Sequence, residues 1–106
     1  MEIKTTNLFG IDADKPIYSI GQVSELLDVK QAFLRRLDTE KVLEPIRSEG
    51  GQRRYSHNQI AMIQKIVSLT SEGFTLAGVN RLLTLEQEVK DLKAEIRHLK
   101  GSGRQK

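Results

Sequence analysis

The sequence has 106 residues, enough for one small domain and little more. It is 38% hydrophobic and 29% charged, with a formal charge of +3. That balance excludes a membrane-spanning or compositionally disordered chain, and it permits a nucleic-acid partner without demanding one. No cysteine is present, which excludes disulfides, thiolate metal sites and a cysteine nucleophile. The two histidines, His57 and His98, are too far apart in sequence to make a metal site by themselves. The opening MEIKTTNLFGIDADKP lacks the apolar core of a leader peptide, and no apolar run is long enough to span a bilayer. The expectation is a soluble, cytoplasmic protein with no metal and no cofactor.

Residues 1–15 show no periodicity and read as a flexible arm, with Asp12 and Asp14 solvating it and Leu8, Phe9 and Ile11 as its apolar members. Residues 16–44 read as two helical pieces. Ile20, Val23 and Leu27 share one face, and Phe33, Leu34 and Leu37 continue the pattern after a break near Asp28 and Val29. Ser19 followed by Gln22 is a capping box, which predicts a first helix beginning at Gly21. The short gap before the second helix forces a tight angle, as in a helix-turn-helix. Pro45 ends the second helical region. In IRSEGGQRRY, Gly50 and Gly51 permit positive φ at both central turn positions of a two-stranded hairpin, with Ile46 and Tyr55 as apolar strand ends. Such a ribbon is marginal alone, so it should pack beside the helices as a wing.

Ser56 and Gln59 form a second capping box, predicting a helix from His57 to about Glu72 with Ile60, Ile63, Ile66 and Val67 inward and Gly73 just past its end. Thr75 can cap the next helix. Beyond it Leu82, Leu85, Val89, Leu92, Ile96 and Leu99 recur at spacings of 3, 4, 3, 4 and 3, the a/d seam of a coiled coil. So narrow a stripe on a solitary helix stays wet and calls for a partner helix, most simply from a second copy. The alternative is a monomer whose last helix folds back on the core. With Leu82 at a, a parallel pair aligns Arg81 with Glu86, Glu88 with Lys93 and Glu95 with Lys100. An antiparallel pair sets Glu88 and Lys93 against their own copies. The organisation is therefore a helix-turn-helix and wing over residues 16–84, a coiled-coil helix over 85–100 and a flexible tail over 101–106.

The functional candidate is this helix-turn-helix beside a basic hairpin. Lys30, Gln31, Arg35 and Arg36 lie on or near the second helix, and Arg47, Arg53 and Arg54 on the hairpin. Gln31 and Arg35 are one turn apart and share a face. A helix in the major groove can offer Arg to guanine and Gln to adenine, while wing arginines hold phosphates and fix register. Residues 16–57 carry seven basic and six acidic side chains, so placement rather than net charge carries this reading. No Ser-His-Asp or paired-carboxylate arrangement can be built from the spacings, so an enzyme is not expected.

The runs YSIGQVSELLDVKQAFLRRLDTEKVL, EGGQRRYS and SEGFTLAGVNRLLTLEQEVKDL, in that order, resemble the MerR family of bacterial transcription regulators over roughly residues 17–100. The wing and the LAGVNRLL segment are most similar to its heat-shock repressor branch, with the glutamine-synthetase regulators next. The resemblance implies a mostly α, winged helix-turn-helix protein that dimerises through a C-terminal helix, paired antiparallel, and binds a pseudo-palindromic operator on double-stranded DNA, bending and undertwisting it. It implies that Arg35 is the recognition-helix arginine, that Arg54 and Tyr55 belong to the wing motif facing the backbone, and that Ser19 lies near phosphate. Four positions depart from the family pattern. Arg36 and Leu37 stand where aromatics usually follow the arginine, Lys30 where Ser usually starts the helix, and Asp28 where Gly is common. Family activators carry a ligand or metal domain beyond the coiled coil, where this sequence stops, so the resemblance implies a repressor controlled by a partner protein such as a chaperone or by dimer concentration. A coiled-coil adaptor and an excisionase-like architectural DNA-binding protein are the alternatives.

Overall fold

The computed structural model describes residues 12–104, and their side chains as far as residue 101. The elements run β1 (Tyr18–Ser19), α1 (Ile20–Leu27), α2 (Gln31–Thr39), β2 (Ile46–Arg47), β3 (Arg53–Tyr55), α3 (His57–Ser71) and α4 (Leu76–Arg104). The fold is mostly helical, with a helix-turn-helix, a small antiparallel wing and a long C-terminal helix. Among the described residues no helix is long and apolar enough to cross a membrane.

Both capping boxes form. The Ser19 hydroxyl accepts from the Gln22 N–H while the Gln22 side chain accepts from the Ser19 N–H, and Ser56 and Gln59 do the same for α3. Helix α1 begins at Ile20, one residue before the sequence expectation, because the capping residue itself is Ser19. It ends where Asp28 turns left-handed at φ 55°, and Val29 N–H returns to Ser24 O while Ser24 Oγ donates to Val29 O at 2.5 Å. These bonds occupy backbone groups that a helix end leaves open. Helix α2 stops at Thr39, short of the expected boundary near Pro45. Lys41 adopts φ 57°, and Val42 N–H returns to Leu37 O at 2.9 Å. That turn sends Leu43 into the core.

The wing has three strands rather than two. β3 is central: Tyr18 pairs with Tyr55 and Ser19 with Arg54 on one side, and Ile46 with Arg54 and Arg47 with Arg53 on the other. The added strand β1 leads directly into α1, so the sheet and the first helix are fixed to each other. At the hairpin tip only Gly51 is left-handed, at φ +81°, whereas positive φ was expected at Gly50 as well. Ser48 N–H donates to Gln52 O at 2.8 Å and Gly51 N–H to Ser48 O at 2.9 Å. The loop is therefore three residues long, the form that needs a single left-handed residue before the second strand.

Val23, Leu34, Leu37, Leu43, Tyr55, Ile60, Ile63, Ile66, Leu76 and Val79 form the core, with Val67 packed at its edge. Residues 12–15 are tied down rather than loose. Asn58 donates its side-chain amide to Asp14 Oδ1 at 2.7 Å and its N–H to Ala13 O at 2.9 Å, and Asp12 Oδ1 accepts from the Asp14 N–H. Leu8, Phe9 and Ile11 lie outside the described residues.

Helix α4 is continuous from the core into the heptad region, and its helical backbone runs through residues 101–104, which the sequence assigned to a tail. The Thr75 hydroxyl caps α4 by accepting from the Gly78 N–H, and Lys65 of α3 pairs with Glu86 at 2.6 Å. Beyond that pair the helix leaves the core. Leu85, Val89, Leu92, Ile96 and Leu99 are all exposed, Leu92 at 57% and Leu99 at 62%. The last helix therefore does not fold back over the core.

Candidate nucleic-acid interface

Helix α2 buries Leu34 and Leu37, one turn apart in register, packs Phe33 against the core and leaves Gln31, Ala32, Arg35, Arg36 and Thr39 exposed. Lys30, Gln31, Arg35 and Arg36 are all exposed. Gln31 and Arg35 meet as their spacing predicts, with Arg35 Nη1 donating to Gln31 Oε1 at 3.4 Å. Arg36 points elsewhere and is paired with Glu40 at 2.6 Å. Lys30 precedes the first turn of α2 without a side-chain cap.

The wing stands against α2 through one carboxylate. Asp38 Oδ2 accepts from Arg47 Nη2 at 3.0 Å and from Arg53 Nε at 3.1 Å, and Arg47 also donates to Gly51 O at 3.0 Å. Arg54 lies on the opposite face of β3 from these two. It donates to Gln52 Oε1 and to Arg53 O and meets no carboxylate among the described residues. Between the start of α1 and the wing lies an open cleft of about 460 Å³, lined by Ser19 and by all three wing arginines. The Ser19 hydroxyl oxygen is used in capping Gln22, which leaves its proton free to donate. His57 and His98 are exposed, and among the described residues no group of His, Asp and Glu could hold a metal ion.

One expected contact residue is not on this surface. Tyr55 is 1% exposed, and its ring is part of the core. In a strand successive side chains face opposite ways, so Arg54 points out where Tyr55 points in. Its hydroxyl is buried and meets no hydrogen-bonding protein atom among the described residues. Burial pushes its pKa above the ordinary tyrosine value of 10.0, against the pull of the nearby Arg53 guanidinium. The folded protein thus favours the neutral phenol, a preference that costs nothing below about pH 10 and destabilises the fold as the unfolded chain ionises above it. Tyr55→Phe should leave neutral-pH stability unchanged or raise it by up to about 1 kcal/mol. It should also flatten the loss between about pH 10 and about pH 12. Thermal melts of both proteins across that range check this, and an equal alkaline loss in both would assign the effect to other groups. Asp38, the joint between helix and wing, is the functional-site residue that the sequence reading missed. Its partners lie 9 and 15 residues away, so no local pattern signals it.

A winged helix-turn-helix whose second helix exposes Gln31, Arg35 and Arg36 is the architecture of a DNA-binding regulator. The chain belongs to the MerR HTH family of regulatory proteins, whose family model matches residues 18–86. It is 31% identical over 100 residues to a heat shock protein, HspR, of Streptomyces coelicolor, a match covering 93% of this chain and 66% of that protein. It is 25% identical over 72 residues to the transcriptional regulator GlnR of Bacillus anthracis, covering 68% of this chain and 56% of that one. The chain thus spans a little under two thirds of the first relative's length and little over half of the second's. Among solved structures, a MerR-family transcriptional regulator from Bacillus cereus superposes with a TM-score of 0.59 at 23% identity, over 81% of this chain and 69% of that one. HiNmlR, a MerR family regulator lacking the sensor domain and bound to promoter DNA, superposes with a TM-score of 0.57 at 23% identity, over 80% and 76%. At these identities the structural likeness establishes the fold.

Proposed function

We propose that this regulator works as a homodimer that binds a pseudo-palindromic operator, distorts it and represses transcription. The observation that carries the reading is the exposed Gln31–Arg35 pair on a helix fastened to its wing. Seated in a major groove, Arg35 would donate to guanine and Gln31 would read adenine. Arg54, Ser19 and Lys30 would supply phosphate contacts that set register. Arg36 would add charge at the edge of the helix, and Arg47 and Arg53 would hold the wing at its working angle. The seam of Leu82, Leu85, Val89, Leu92, Ile96 and Leu99 would close the dimer and set two reading heads on one face of the duplex. Distortion of the operator centre rests on membership of the MerR family, and repression and control by a chaperone-like partner on the likeness to its heat-shock repressor branch.

Titration of a DNA site at several salt concentrations tests the electrostatic part. Log affinity should fall linearly with log salt, with a slope of about 0.9 for each phosphate neutralised. A flat salt response would remove this mechanism.

A further inference from the structure

The acidic residue at the joint has a role that the contact surface alone does not require. Asp38 sits on α2, three residues beyond Arg35, and is the carboxylate that meets two of the three wing arginines. Its side chain is 18% exposed, and those of Arg53 and Arg47 are 24% and 50% exposed. Water screens this cluster less than it screens the fully exposed pairs of the surface. One negative charge shared by two guanidiniums leaves the cluster one unit less basic than the arginines would be by themselves. The same carboxylate holds Arg53 Nε and Arg47 Nη2 to one oxygen, which fixes the wing relative to the helix that carries Arg35.

We infer that Asp38 is a positioning residue for sequence discrimination: it locks the wing to the recognition helix and, by neutralising wing charge, lowers affinity for DNA of the wrong sequence. The inference rests on the DNA-binding reading above. Electrostatic attraction to phosphate is indifferent to sequence and supplies nearly all non-specific binding. A carboxylate placed among the wing arginines subtracts from that attraction everywhere. It returns the loss only at sites where the bases meet Gln31 and Arg35 while the wing already stands at the correct height. With the joint cut, the wing can settle on the backbone whether or not the helix has found its bases. Tight binding to selected DNA and weak binding to random DNA then depend on one residue that touches neither bases nor phosphates.

The test compares wild type, Asp38→Asn, Asp38→Glu and Arg53→Gln on a selected site and on random duplex, each at several salt concentrations, with thermal melting to establish that each variant is folded. Asp38→Asn should bind random DNA several-fold more tightly, with a salt slope steeper by about 0.9 because one compensating charge is gone. Its ratio of selected to random affinity should fall about tenfold, comparable to losing the discrimination of one base pair. Asp38→Glu, which keeps the carboxylate, should recover most of the ratio and the wild-type slope. Arg53→Gln should lower the ratio without steepening the slope. A residue with a merely structural role would lower the melting temperature and weaken both DNAs alike, with the slope unchanged; that result overturns the inference. A wild-type protein with no salt-dependent DNA affinity would overturn the DNA-binding reading itself, whereas normal wild-type binding with an unchanged Asp38→Asn ratio would overturn only the role of Asp38.

Discussion

Arg35→Ala is expected to cost about 1–3 kcal/mol of preference for the selected site over random DNA, the worth of one bidentate arginine–guanine contact. The fold should be untouched, because Arg35 is exposed and its one side-chain hydrogen bond among the described residues is a long one to Gln31. The effect should be concentrated in the specific complex, since a base contact is lost along with one of several positive charges. Gln31→Ala should act in the same direction with a smaller effect, having removed a neutral group. Competition binding with selected and random duplexes reads both. If selected and random DNA lose affinity equally in Arg35→Ala, the residue is a phosphate clamp and the bases are read elsewhere.

Leu92→Asp is expected to weaken self-association by at least about 100-fold. Truncating one buried leucine costs about 2–5 kcal/mol, each dimer loses two, and a carboxylate placed in a dry seam adds a desolvation penalty. The protomer should fold normally, because Leu92 is 57% exposed and belongs to no core contact of the chain that carries it. Affinity for a two-half-site operator should fall with the dimer, since each half-site must then be found by an unlinked protomer. Sedimentation of wild type and variant over a range of concentrations decides it. An unchanged association state would mean that the exposed stripe is not the dimer surface. The charges flanking the seam favour a parallel pair, and the family resemblance implies an antiparallel one. Exposed pairs contribute about 0.3–0.5 kcal/mol each, so packing of the globular units against the helices can override them.

What the sequence made legible was local. The two capping boxes, a glycine-borne turn at the hairpin tip, the break near Asp28 and the heptad stripe each depend on residues within about one or two turns of each other, and all appear in the structure, although the turn is three residues long with one left-handed glycine rather than the tighter form with two. The features that escaped depend on distant partners or on backbone states that composition does not mark. β1 is two residues long and exists because Tyr18 lies opposite Tyr55, 37 positions away in a sheet. The end of α2 turns on a left-handed lysine, a conformation usually signalled by Gly or Asn. Tyr55 was placed among the contact residues because of its position in the wing motif; strand alternation sends it inward and leaves Arg54 outside. Arg47, Arg53 and Arg54 are chemically alike in the sequence, and only the fold separates the two that bind Asp38 from the one that meets no carboxylate. Assigning chemistry to the wing therefore required coordinates, whereas assigning the class of fold did not.

Selection of bound fragments from a pool of random DNA tests the central claim most directly, because it reports base preference, symmetry and spacing together. Two inverted half-sites on one face of the duplex, each with a guanine whose selection disappears in Arg35→Ala, would match an operator read by two copies of α2. Recovery of fragments with no common sequence would contradict it and leave a DNA-binding protein without an operator.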